Sequence, residues 1–272
     1  MLAIFFSQKR NIFIIAAALA ILTAIATWLQ YARAPSDSVS ALPPPAADVP
    51  PSTAPPSPPT AGGTASPPAP VYAGLPVQAL DSSPDILKQV PADTYDTSRK
   101  ELADLAVSLA ANPRDASGWM RVAYIKRFYG DYAGTADAYE YLNVIAESDA
   151  LAFYNLAGLY GYYLKQPARA VPKYEAALER DPMNPTYYSG FSDFYREVMK
   201  DLPAAARVLE RGLAKVQSDM NLSVSYAALL ATMGKTARAI EYYEKVLARA
   251  DLDVPQRTAI IAEVNRLKAG NP

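Results

Sequence analysis

From about residue 98 to residue 250 the apolar positions fall at helical spacing in short runs, and the runs pair up at intervals of 34 or 35 residues. Leu102, Leu105 and Leu109 lie on one face of a first run that stops before Pro113. Ser98-Arg99-Lys100-Glu101 has the form of a capping box and is read as the start of that helix. Paired runs follow at about 116–129 with 133–146, 150–164 with 168–180, 186–199 with 203–216, and 221–233 with 236–249. A last helix is predicted over 255–268, opening on Pro255, which a first helical turn accepts. Turn residues punctuate the series at Gly130-Asp131, Asp181-Pro182, Asn184-Pro185 and Gly234. No strand alternation of useful length occurs, so the fold class is all-α.

The repeat has a recognisable register. Trp119, Phe153 and Tyr188 occupy one position, with Ser223 continuing it at lower bulk. Leu109, Leu178, Leu213 and Leu247 occupy another. A period in this range marks a stacked array whose units bury their apolar faces only against their neighbours. Such an array offers a long surface rather than a closed reaction pocket.

The residues resemble the tetratricopeptide repeat family over about 98–250. The second unit matches with Phe153, Leu156-Ala157 and Tyr160, then Ala170, Tyr174, Ala177 and Pro182, with one extra residue assigned to the turn. The third gives Tyr188, Phe191-Ser192, Tyr195 and Gly212; the fourth gives Ala227, Gly234, Ala239, Tyr243, Val246 and Leu247. The first has Trp119, Ala123 and Gly130-Asp131-Tyr132, but Lys126 stands where an aromatic is usual. The resemblance implies a right-handed superhelical solenoid of helix-turn-helix repeats, here four units with an orphan helix before them and a capping helix over 251–272. It also implies a concave groove lined by first-helix residues between the packing positions. By register these are Met120, Tyr124, Arg127 and Phe128, then Tyr154, Gly158 and Tyr162, then Asp193, Arg196 and Glu197. This surface is aromatic in its first half and charged in its second, and suits a peptide or protein partner. The lysines and asparagines by which some family members hold a C-terminal carboxylate are missing, with Met120, Tyr124, Thr186 and Gly190 at their places and only Asn155 retained.

The segments before the repeats differ from them. Between Asn11 and Ala32 no residue is charged, and about 20 apolar residues span a bilayer core. Lys9 and Arg10 precede the stretch, while Trp28 and Tyr31 close it. The expectation is a signal anchor over 11–32, with residues 1–10 cytoplasmic and the remainder outside the cytoplasm, best fitted by a bacterial inner membrane with a periplasmic domain. A cleaved signal peptide is the rival, because Ala32-Arg33-Ala34 has the small-x-small form. The following linker, 33–94, is read as mostly disordered; residues 35–76 hold 14 of the chain's 24 prolines and only two charges, Asp37 and Asp48.

Composition narrows the chemistry. The chain has no His and no Cys, which removes imidazole bases, thiolates, disulfides and the usual zinc ligands. Residues 77–272 carry 25 acidic and 23 basic side chains, a balance of −2 without a basic run, so no nucleic-acid partner is expected. No phosphate-cradling glycine loop, nucleophile elbow or calcium loop occurs, and neither catalytic residues, metal nor cofactor are assigned. The expected function is a non-catalytic binding or assembly platform. Two alternatives remain: a self-associating envelope component, for which a homo-oligomer is possible, and a holder of apoprotein in cytochrome c maturation, on the likeness of Ala111-Asn112-Pro113 and Trp119 to that repeat group.

Overall fold

In the computed structural model residues 69–270 are described, and among them all regular structure is helical. The expected span over 11–32 and most of the proline-rich stretch lie outside the described residues. Among the described residues no helix is long and apolar enough to cross a membrane. The order is α1 (Pro84–Leu87), α2 (Ala92–Ala111), α3 (Ala116–Phe128), α4 (Tyr132–Ile145), α5 (Ala150–Gly158), α6 (Pro167–Arg180), α7 (Pro185–Phe194), α8 (Leu202–Lys215), α9 (Met220–Thr232), α10 (Thr236–Leu247) and α11 (Val254–Lys268). Helices α3 to α10 form four antiparallel pairs, each packed on the next.

Carboxylate and amide caps start the first helix of every pair. Asp115, Asp149, Asn184 and Asp219 accept backbone N–H groups of the opening turns, and Asp253 does the same for α11. Each satisfies a donor that the helix cannot pair internally, worth about 1 kcal/mol. The caps recur at spacings of 34, 35, 35 and 34 residues. The second and third units therefore carry one residue more than the first and fourth.

That extra residue does not lengthen the turn, as the sequence pattern had it. It is taken up inside the first helix. After α5 the backbone widens into a π-turn over Leu159–Tyr163, and after α7 into another over Tyr195–Met199. In the first of these Leu164 N–H reaches back five residues to Leu159 C=O at 3.0 Å. The turns that follow are otherwise equivalent: Gly130 and Gly234 take a left-handed φ of 80° and 72°, and Lys165 and Lys200 take 54° and 56° at the same place.

Small residues let the helices nest. Ala123, Ala157, Ala170, Ala177, Ala205, Ala227 and Ala239 are fully buried, and large side chains fill the space their neighbours leave. A methyl group on Gly212 would stand 2.7 Å from the Tyr188 ring, and one on Gly161 would stand 2.6 Å from Phe194. The pairs are also tied by charge. Glu140 on α4 accepts hydrogen bonds from Tyr160 Oη at 2.7 Å, Lys173 Nζ at 2.6 Å and Arg169 at 3.1 Å. Burial alone would raise its pKa, but the bonds from Lys173 and Tyr160 and the nearby cations prevail and lower it.

The ends of the array are closed differently. At the C-terminal end α11 buries Ile260, Val264 and Leu267, while Ile261 faces outward. Arg257 donates to the carbonyls of Leu247 and Arg249 at 2.7 and 2.9 Å, covering the last turn of α10. At the other end the helix expected from Ser98 begins six residues earlier, at Ala92, and Ser98 Oγ donates to Thr94 C=O within it. The extension is anchored by Tyr95, whose ring lies 5.3 Å from that of Tyr129.

The segment before it, read as the last part of the 33–94 linker, is seated on the first pair as a strap. Tyr72 packs 4.5 Å from Trp119 and 5.5 Å from Tyr141, Tyr141 Oη donates to Pro70 C=O, and Val77 is buried. Lys126 explains the strap's hold. Its side chain is fully buried, and its ammonium donates to Asp131 Oδ2 at 3.0 Å and to the carbonyls of Ala79 and Pro76. Asp131 in turn accepts Gly134 N–H as the cap of α4 and Asp81 N–H from the strap. A lysine at this position supplies the N–H donors that the strap carbonyls of Ala79 and Pro76 accept.

Two outcomes test these ties. Lys126→Met strands a buried carboxylate and should cost about 3–5 kcal/mol in urea unfolding, with faster tryptic cleavage after Lys88. Adding Asp131→Asn, which keeps the cap and removes the stranded charge, should recover most of that loss. Glu140→Gln should cost about 1–2 kcal/mol at pH 7. Because the folded pKa lies below 4.5, the stabilisation is present above the unfolded value and disappears as pH falls through the folded one. The melting curves of the variant and the parent should therefore converge as the pH falls below the folded-state pKa of Glu140.

Candidate functional site

A cleft of about 360 Å³ opens between the first three pairs. Its lining comes from the end of α3 (Arg127), from α5 and its π-turn (Tyr154, Asn155, Gly158, Leu159, Tyr162, Tyr163), from α6 (Tyr174), and from α7 and its π-turn (Gly190, Asp193, Glu197). Both π-turns border it. Each π-turn takes in its added residue by widening the helix locally, and the one that follows α5 carries Tyr162 and Tyr163, both on the cleft. The one-residue insertions of the second and third units thus bear directly on the surface.

Glycines deepen the cleft. A methyl group on Gly190 would overlap the Tyr154 hydroxyl, so the absence of a side chain there lets that ring lie across α7. Tyr154 sits 4.8 Å from Tyr187 and 5.7 Å from Tyr174, centroid to centroid. Tyr174 is 2% exposed and stacks on Phe191 at 4.8 Å. Its hydroxyl would lie 3.7 Å from a methyl at Gly158, which places it at the cleft floor. Among the described residues that hydroxyl has no protein hydrogen-bond partner, and it is open to solvent in the cleft rather than buried with its ring.

The two ends of the cleft differ in charge. At the α3 end the Arg127 guanidinium lies 5.6 Å from the Tyr163 ring, which also packs on Tyr132. At the α7 end one nitrogen of Arg196 serves both Asp193, at 2.7 Å, and Glu197, at 2.8 Å. Two carboxylates thus share one guanidinium. Burial raises the Asp193 pKa above the ordinary carboxylate range, Arg196 opposes this, and Glu197 adds to it. Tyr162 is held well above the ordinary phenol range by burial and then by the charges of Glu197 and Asp193. Tyr154 is raised by burial and by Asp193. These phenols remain protonated donors at neutral pH.

Of the residues that the repeat register points to, Arg127, Tyr154, Tyr162, Asp193 and Glu197 line this cleft, as does Gly158. The other four lie elsewhere. Met120 is half-buried and packs on the core. Tyr124 is exposed, with the Arg121 guanidinium 5.4 Å from its ring. Phe128 is exposed and packs edge-on against Tyr129. Arg196 sits outside the lining, bridging the two acids. Register alone did not find Tyr163, Leu159 or Tyr174. Tyr163 lies in the π-turn, whose signal was the 35-residue cap spacing, while Leu159 is a core position like Ile125 in the first pair. Tyr174 has a core position, and only its hydroxyl reaches the cleft.

No family model matches the chain, and no curated protein matches it. Among solved structures, the chain is similar to YrrB, described as a tetratricopeptide protein with an unusual peptide-binding site, at 16% identity over 61% of this chain and 84% of that one, with a TM-score of 0.46. It is also similar to TTC0263, a thermophilic tetratricopeptide protein of Thermus thermophilus, at 16% identity over 66% of this chain and 98% of that one, with a TM-score of 0.42. Likeness at this level establishes neither family nor activity, and the paired-helix architecture rests on the contacts described above.

Proposed function

We propose that this chain is a non-catalytic protein-interaction platform of the tetratricopeptide type, and that it binds an extended peptide segment of a partner in the cleft crossed by α3, α5 and α7. The observation that carries the reading is the cleft itself. The first helix of the second pair and its π-turn contribute Tyr154, Tyr162 and Tyr163, and α6 adds the Tyr174 hydroxyl. Helices α3 and α7 frame them with Arg127, Asp193 and Glu197, and Gly158 leaves room for a main chain to approach. Tyrosines supply large contact area with little conformational entropy to lose, which suits them to binding surfaces. The proposed setting is a membrane surface, with residues 11–32 as anchor and the proline-rich stretch as spacer. Support for that setting comes from the uncharged run, its Lys9-Arg10 flank and the tether composition.

Photo-cross-linking from position 163 in intact membranes should trap a specific partner, whereas the same probe at Arg207, exposed on α8 away from the cleft, should not. Combining Tyr162→Ala with Tyr163→Ala should weaken that partner's binding at least about tenfold. Circular dichroism should stay unchanged, because Tyr163 is exposed and Tyr162, itself only partly buried, meets the Phe194 ring edge-on. Gly190→Ala should leave stability within about 1 kcal/mol, since helix propensity offsets the displacement of a side-chain end. It should still reduce binding by moving Tyr154. Unchanged binding in both variants would remove the cleft from the function.

A further inference from the structure

We propose that the α7 end of the cleft seats a basic side chain, arginine or lysine, of the bound partner segment. The inference rests on the reading of the cleft as a peptide groove and adds the chemistry of the anchoring residue.

Three features converge on a cation. The first is the charge balance: Asp193 and Glu197 face the cleft, and the single nitrogen of Arg196 that lies against both leaves this end one negative charge in excess. The other cation on the lining, Arg127, belongs to the α3 end and is engaged with the Tyr163 face. The second is the ring wall. Tyr154 and Tyr162 line the same volume, and an aromatic ring attracts a cation placed over its face within about 6 Å. The third is independent of both. The Tyr174 ring is buried, but its Oη is open to the cleft and has no protein hydrogen-bond partner among the described residues, so it is available to a ligand. An incoming N–H donor can take the place of solvent on that oxygen.

Other ligand chemistries fit less well. An acidic side chain would meet Asp193 and Glu197 at the same depth, and repulsion in a partly desolvated cleft is costly. A purely apolar side chain would leave the Tyr174 hydroxyl unpaired and the half-buried Asp193 further desolvated. A guanidinium or ammonium uses the rings, the carboxylates and the hydroxyl together.

The test uses the full chain carrying 3-fluorotyrosine, with the resonances of Tyr154, Tyr162 and Tyr174 assigned by single Tyr→Phe replacements. It is titrated with three capped tripeptides that differ only at the centre: acetyl-Ala-Arg-Ala-amide and its Gln and Glu counterparts. The expected result is a saturable shift of these resonances with the arginine peptide. The glutamine peptide should bind about five- to tenfold more weakly, as one ion pair plus a cation–π contact implies, and the glutamate peptide should give no shift. Asp193→Asn together with Glu197→Gln should erase the preference for arginine. Equal response to all three peptides, or none to the arginine peptide, overturns the inference. The cross-linking assay separates the two readings. If the double acid-to-amide variant traps partner as well as the parent while the Tyr162 and Tyr163 double variant does not, the groove stands and the basic anchor falls. If neither variant matters, the groove itself fails.

Discussion

A stack of helical pairs buries one face of each pair against the next, so its two ends always present an apolar face with no neighbour. Everything at the margins of this domain answers that constraint. At the C-terminal end a helix of ordinary kind, α11, supplies Ile260, Val264 and Leu267 on one side and a more polar outer face on the other. At the N-terminal end a helix alone does not suffice, and a non-helical strap covers the first pair. Extended chain brings unpaired carbonyls with it, and these need donors. The fully buried ammonium of Lys126 provides them, while Asp131 neutralises it and caps α4 in the same act. One ion pair therefore links the strap, the first helix of the array and the start of the second.

Between the ends the repeat is uniform except where the cleft lies. The second and third units each hold one added residue, and each absorbs it as a π-turn at the end of the first helix. Absorbing it there preserves the register of the packing residues on either side, since both neighbouring turns keep their left-handed residue and their cap. The cost is a locally wider helix whose side chains are re-aimed. The re-aimed residues include Tyr162, Tyr163 and Glu197, all on the cleft. Structural tolerance and surface specialisation are served by the same insertion.

The tyrosines illustrate how packing and exposure combine in one residue type. Tyr188 and Tyr174 belong to the core by burial, yet Tyr188 satisfies its hydroxyl on Pro182 C=O at 3.0 Å while Tyr174 does not. Tyr160 is likewise buried and spends its hydroxyl on Glu140. The contrast marks the cleft floor as a place where polar capacity has been left open.

The sequence by itself determined the helical pairs, their order and most of their boundaries, because periodicity, caps and breakers act within a few residues of one another. The spacing of the capping residues even held the count of inserted residues. Five of the nine residues singled out by register, Arg127, Tyr154, Tyr162, Asp193 and Glu197, share one cleft in the structure. Where an insertion would be absorbed was another matter. Turn and helix both had room for it, and the structure shows it taken up in the helix. The strap was equally hidden, since its few large side chains, Tyr72 and Val77 among them, sit in a proline-rich context and find their partners 40 or more residues away on α3 and α4. Lys126 stood out in the sequence as a misfit in an aromatic position. Its meaning lay in carbonyls nearly 50 residues distant, and contacts over that separation are decided by the tertiary fold alone.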